Sequence, residues 1–168
     1  MPTRYLRARL PLLTTVLLAT MLLAGTSVAS ATTKLPPPGP PTRAQKIDKV
    51  IAIAEKQIGD PWVWGMRGPN AFDCTGLVYY AFKKAHALGL IGGRWRGVQA
   101  LWSWASRRHD ASRHDPQRGD LIVWGHAKHV GIYLGNGNAI SALVSGVRIH
   151  RVNQLYDPFT TYLHLRPS

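Results

Sequence analysis

Residues 72–82 read FDCTGLVYYAF, and after Gly119 a different pattern takes over in HVGIYLGNGNAIS, residues 129–141. The first stretch is helical. Cys74, Leu77, Val78, Ala81, Phe82 and Ala85 recur on one face, so a helix is predicted from Asp73 to near Gly89. The second stretch is extended. Segments 120–124, 129–135, 139–143 and 147–152 are short and β-rich, and 161–165 adds a last strand. Gly135-Asn136-Gly137 and Ser145-Gly146 separate them as hairpin turns. Working outward, Thr42 and Gln45 fit a capping box, and Ile47, Val50, Ile51, Ala54 and Ile58 follow helical spacing up to Gly59. Residues 60–72 form a loop rich in glycine, proline and aromatics, and Val98, Leu101, Trp102 and Ala105 mark a third helix. Helices followed by a strand meander predict an α+β fold, with the helices packed on a small antiparallel sheet.

The chain has 168 residues, a formal net charge of +13 and one cysteine. One cysteine excludes an internal disulfide framework and a multi-cysteine zinc site. With 45% hydrophobic and only 17% charged residues, the chain is not a disordered polycation. Residues 1–31 divide into an arginine-bearing start, an apolar run of about 15 residues and the small residues Ala29-Ser30-Ala31. This reads as a secretory signal peptide, because the run is shorter than the roughly 20 residues of a membrane span. Its removal takes Arg4, Arg7 and Arg9 and lowers the charge to +10. Residues 32–41 carry five prolines and read as an extended spacer, which leaves a folded domain at 42–168. Export turns the basic surface toward an anionic envelope and away from nucleic acid.

Cys74 in a first helical turn faces unpaired N–H groups and the positive end of the helix dipole, which predicts a stabilised thiolate and a lowered pKa. The same N–H groups suit a developing oxyanion. The alternative is a buried structural cysteine. Among seven histidines, His129 opens a strand and is placed at the seam with the helix that carries Cys74, as Cys–His chemistry requires; spacing alone ranks it only slightly above His126. Arg94, Arg96, Arg107, Arg108 and Arg113, with Trp95, Trp102 and Trp104, form either a polymer-contacting face or a solvated surface over core tryptophans.

DPWVWG (60–65), FDCTGLVYYAF (72–82), RGDLIVW (118–124) and HVGIYLGNGNAIS (129–141) together resemble the NlpC/P60 cell-wall peptidases, in that family's order. The resemblance implies a papain-like fold and cysteine-type hydrolysis of peptidoglycan stem peptides, typically at D-γ-glutamyl–diamino acid bonds. It implies Cys74 as nucleophile, His129 as general base and Ser141 at the third, histidine-orienting position. Trp62, Asp73 and Thr75 become candidate substrate contacts. No metal or organic cofactor is implied, and the expected form is a secreted monomer. Three positions depart from the family pattern: Ser141 replaces a more polar residue such as histidine, Trp62 replaces a tyrosine, and Arg118 replaces a turn proline. Two alternatives remain at this point: a non-catalytic wall-binding module on the same scaffold, and an amidase or acyltransferase using the same dyad.

Overall fold

The computed structural model of the chain describes residues 39–166. The expected signal peptide, 1–31, and most of the expected spacer, 32–41, lie outside the described residues.

Helix α1, Arg43–Glu55, opens with the predicted capping box. The Thr42 hydroxyl accepts from the Gln45 N–H at 3.3 Å, and the Gln45 side-chain carbonyl accepts from the Thr42 N–H at 2.8 Å. The helix stops four residues before Gly59. Its last turn tightens through bonds from the Gln57 and Ile58 N–H groups to the carbonyls of Ala54 and Glu55. Gly59, at φ +96°, instead sends its N–H to the Val147 carbonyl and ties the turn to the sheet.

Helix α2, Cys74–Lys84, is shorter than the expected run to Gly89. His86 takes a left-handed conformation at φ 54°, and a 3-10 turn, Leu88–Ile91, follows. The predicted apolar face of α2 is real: Leu77, Ala81 and Phe82 are fully buried. Burying a side chain such as Leu77 or Phe82 stabilises the fold by roughly 1.5–3 kcal/mol. Helix α3, Val98–Arg107, buries Val98, Leu101 and Ala105.

The strands are β1, Ala111–Ser112; β2, Leu121–Trp124; β3, His129–Gly135; β4, Asn138–Leu143; β5, Gly146–Arg151; and β6, Phe159–Leu163. They form one sheet in the order β1-β6-β2-β3-β4-β5, with antiparallel pairings throughout. The predicted meander is β2 to β5. The last strand starts two residues earlier than expected and returns beside β2. Strand β1 has only two residues, too few to show alternation in the sequence.

Alternation gives the sheet two apolar faces. Leu121, Val123, Val130, Ile132, Ile140, Ala142 and Val147 join the helices in the main core. Ile122, Trp124, Tyr133 and Ala139 form a smaller cluster on the other face. Trp124 is fully buried there, and its indole N–H donates to the Val152 carbonyl at 2.8 Å.

Candidate active site

The start of α2 is built by Asp73. Its carboxylate accepts from the Gly76 N–H at 2.6 Å, the Thr75 hydroxyl at 2.8 Å and, with its other oxygen, the Gly65 N–H at 2.9 Å. One side chain therefore caps the helix and fastens the 60–72 loop to it. The loop lies so close that a Cβ on Gly76 would come within 2.0 Å of the Met66 carbonyl oxygen. This packing presents Cys74 at a partly exposed position between loop, helix and sheet.

Two cavities meet at Cys74. One, of about 290 Å³, contains Trp62, Cys74, His129, Leu155 and Tyr156. The other, of about 600 Å³, contains Cys74, Thr75, Arg67, Trp95 and Lys128. The Arg67 guanidinium stacks over Trp95 at 3.9 Å, and the Trp95 indole N–H reaches the Thr75 hydroxyl at 3.2 Å. These contacts form the wall of the larger cavity. Trp64, 82% exposed, borders both. The thiol thus sits at the join of a continuous cleft, with space on both sides for an extended chain.

The electrostatics differ from the expectation of a lowered thiol pKa. Burial pushes the Cys74 thiol above its ordinary value, and the neighbouring Asp73 carboxylate adds to this. The backbone N–H groups of Val130, Thr75 and Cys74 pull it down, but by less. The helix terminus is present as predicted; desolvation outweighs it. These N–H groups nevertheless point toward the Cys74 sulfur and favour negative charge there.

His129 follows the same rule. Burial, then repulsion from His150, lowers its pKa to about 4, against a weaker upward pull from Asp157. The resting pair is therefore neutral thiol and neutral imidazole. The His129 Nε2 lies 2.9 Å from the Ser141 hydroxyl, which leaves Nδ1 as the free ring nitrogen. Ser141 is fully buried and lies 2.8 Å from His150 Nε2. Trp124 underlies both imidazoles, with ring centroids 5.5 Å from His129 and 5.6 Å from His150.

Cys74, His129 and Trp62 therefore line one cavity, and Ser141 stands behind His129. Asp73 and Thr75 border the larger cavity, but both are mostly buried and their polar atoms are bonded within the fold. The arginine cluster is divided. Arg113 donates to the Thr160 carbonyl, Arg108 pairs with Asp110, and Arg96 donates to the Ile91 and Gly92 carbonyls. Only Arg94, Arg96 and Arg107 line a groove, beside Trp95. His150 was not singled out by the sequence; its place depends on the β4–β5 register, in which Ser141 faces Arg148 and His150 lies two residues further along. Among the described residues, no group of three or more metal-ligating side chains could hold an ion.

A thiol at a helix start, sharing a cavity with a histidine that opens a strand of an antiparallel sheet, fits an α+β domain of papain-like type. The NlpC/P60 family model matches residues 59–165, and the chain belongs to that family. Over 107 residues it is 36% identical to a Listeria monocytogenes protein named "probable endopeptidase p60", a match covering 62% of this chain. The chain spans about a fifth of that relative's length. The fold superimposes on the peptidoglycan hydrolase RipB of Mycobacterium tuberculosis with a TM-score of 0.55 and 31% identity, covering 78% of this chain and 74% of RipB. It also superimposes on RipD of the same organism, described as a non-catalytic NlpC/P60 domain protein adapted to peptidoglycan binding. That match has a TM-score of 0.56 and 25% identity, covering 71% of this chain and 96% of RipD.

Proposed function

We propose that this protein is a secreted peptidoglycan hydrolase, a cysteine endopeptidase that cuts stem peptides at D-γ-glutamyl–diamino acid bonds. The observation that carries the proposal is the placing of Cys74 and His129 in one cleft, with His129 Nε2 held by Ser141 and Nδ1 free. In the first step the Cys74 S–H proton passes to His129 Nδ1 as sulfur attacks the scissile carbonyl carbon. The backbone N–H of Cys74 and its neighbours receive the oxyanion. His129 then returns the proton to the leaving amine, and a thioester remains on Cys74. Water, deprotonated by His129, attacks the thioester; the C–S bond breaks, the carboxylic acid leaves, and His129 returns the proton to the departing Cys74 sulfur. Neutral resting groups suit this concerted route, because no buried ion pair has to be maintained before substrate arrives. The cycle needs no metal or organic cofactor. The leader at 1–31 directs the protein out of the cell, where it works as a monomer.

Incubation with purified muropeptides under reducing conditions tests the proposal by mass spectrometry of the products. Wild-type protein should release fragments split at the D-γ-glutamyl bond, and Cys74→Ala should release none. Equal release by the two proteins refutes the mechanism. Cleavage of the amide that joins glycan to peptide assigns the same dyad to an amidase, transfer of the acyl group to an acceptor other than water assigns it to an acyltransferase, and a different bond within the stem leaves a peptidase of other specificity. The likeness to RipD supports a second reading, a peptidoglycan-binding module without catalysis. Cys74 and His129 argue against it, and binding of muropeptides by the wild-type protein without any cleavage would favour it.

A further inference from the structure

His129, Ser141 and His150 sit on three adjacent strands, β3, β4 and β5, and share the sheet face that carries Trp124. They meet because Gly131 has no side chain. A Cβ there would lie 3.0 Å from the Ser141 Cβ and 3.2 Å from the Trp124 ring. The resulting contacts run in a line: His129 Nε2 to Ser141 Oγ at 2.9 Å, Ser141 Oγ to His150 Nε2 at 2.8 Å, and His150 Nδ1 to the Arg151 carbonyl at 3.0 Å.

The far end of this line fixes every proton in it. A backbone carbonyl can only accept, so His150 Nδ1 carries a hydrogen and donates. Burial, which dominates, and the Arg148 charge hold the His150 pKa below its ordinary value, while the Arg151 carbonyl raises it less. The ring is neutral near pH 7, so its Nε2 bears a lone pair and accepts the Ser141 O–H. The Ser141 oxygen must then accept, and the donor is His129 Nε2–H. His129 is left with its lone pair on Nδ1, the nitrogen a thiol proton would enter. A lone serine would impose none of this, since a hydroxyl rotates and can donate to Nε2 as readily as it accepts from it.

We propose that His150 is a positioning residue for the Cys74–His129 dyad, acting through Ser141 to set the tautomer of His129. This rests on the proposed cysteine-peptidase reading. Ser141 alone is a weak substitute for a histidine at the orienting position, and the Ser141–His150 pair restores the directionality that the substitution removes. The charged groups around the line are Arg148 on β5 and Asp157 and Lys128 at the cleft rim; Asp157 and Lys128 pair with each other at 3.6 Å.

The test compares the full chain with His150→Phe and His150→Gln on muropeptides. Phenylalanine fills the space but accepts nothing, whereas the glutamine carbonyl can still take the Ser141 O–H. His150→Phe should lower kcat roughly 10- to 100-fold with little change in KM, and His150→Gln should recover most of that loss. Combining His150→Phe with Ser141→Ala should cost no more than Ser141→Ala alone, because both break one line. Equal kcat for the Phe and Gln variants, or additive losses in the double variant, overturns the proposal. If His150→Phe does not fold, ¹⁵N NMR of the wild-type imidazoles decides without turnover. The proposal requires hydrogen on Nε2 of His129 and on Nδ1 of His150, and the opposite tautomer at either ring refutes it. A wild-type protein with these tautomers but no cleavage of any muropeptide refutes the hydrolase reading and leaves the hydrogen-bond line standing.

Discussion

Lowering the pH should destabilise this fold through His129 more steeply than through an ordinary histidine. In the unfolded chain the imidazole titrates near its usual 6.5, and in the folded protein it titrates near 4. Because the folded pKa is depressed, the unfolded state binds the proton first. The stabilisation is present above 6.5 and is lost as pH falls through 4. From those two values, linkage removes about 2 kcal/mol between pH 7.5 and pH 5, and about 3 kcal/mol by pH 4. The assay is urea denaturation of wild type and His129→Gln at each pH, with the difference between the two curves read against pH. Glutamine is similar in size and does not titrate, so the gap isolates the imidazole. NMR titration of the His129 ring should give a midpoint near 4 in the same protein. A pH-independent gap, or a midpoint near 6.5, shows that burial beneath the cleft does not dominate the charge state of His129.

Other outcomes follow from specific contacts. Gly76→Ala should prevent folding, since its Cβ would stand 2.0 Å from the Met66 carbonyl oxygen of a pinned loop; loss of the far-ultraviolet helical signal reports this. Asp73→Ala removes acceptors for two backbone N–H groups and one hydroxyl at the α2 start, and should cost about 2 kcal/mol by urea midpoint while lowering activity through a displaced Cys74. Asp120→Ala takes away the buried carboxylate that holds Arg43, His164 and the Gln117 and Leu165 N–H groups. It should destabilise by about 3–5 kcal/mol with the residual folded protein keeping its alkylation rate at Cys74. Cys74 alkylation by iodoacetamide should accelerate with pH up to and beyond 9, because the thiol titrates above its ordinary 9.0. A plateau below pH 8 contradicts the neutral resting pair.

Much of the fold could be read from periodicity because each element keeps one pattern. The 3.6-residue apolar repeat of residues 74–85 and the alternation in HVGIYLG reflect burial on one side of a helix and on the two sides of a sheet. The positions of Cys74 and His129 were legible for the same reason: each begins an element, one behind a capping aspartate and the other after a polar turn. What escaped depends on distance along the chain. His150 is silent in the sequence, since its meaning comes from a diagonal contact across the β4–β5 register and from the missing side chain at Gly131. The direction of the Cys74 pKa shift escaped too. The helix dipole is a local property of the sequence, whereas desolvation depends on how the 60–72 loop and the sheet close around the sulfur. Asp73 reads as a cap in the sequence and is one in the structure, and its loop contact at Gly65 appears only in three dimensions.

In the proposed mechanism Cys74 carries the acyl group. Rapid acid quench of the protein during muropeptide turnover, followed by peptide mapping in a mass spectrometer, tests it directly. A thioester adduct, with the mass of the acyl half of the stem peptide, is expected on the peptide containing Cys74. Turnover that persists in Cys74→Ala, or an adduct mapped to any other residue, would contradict it.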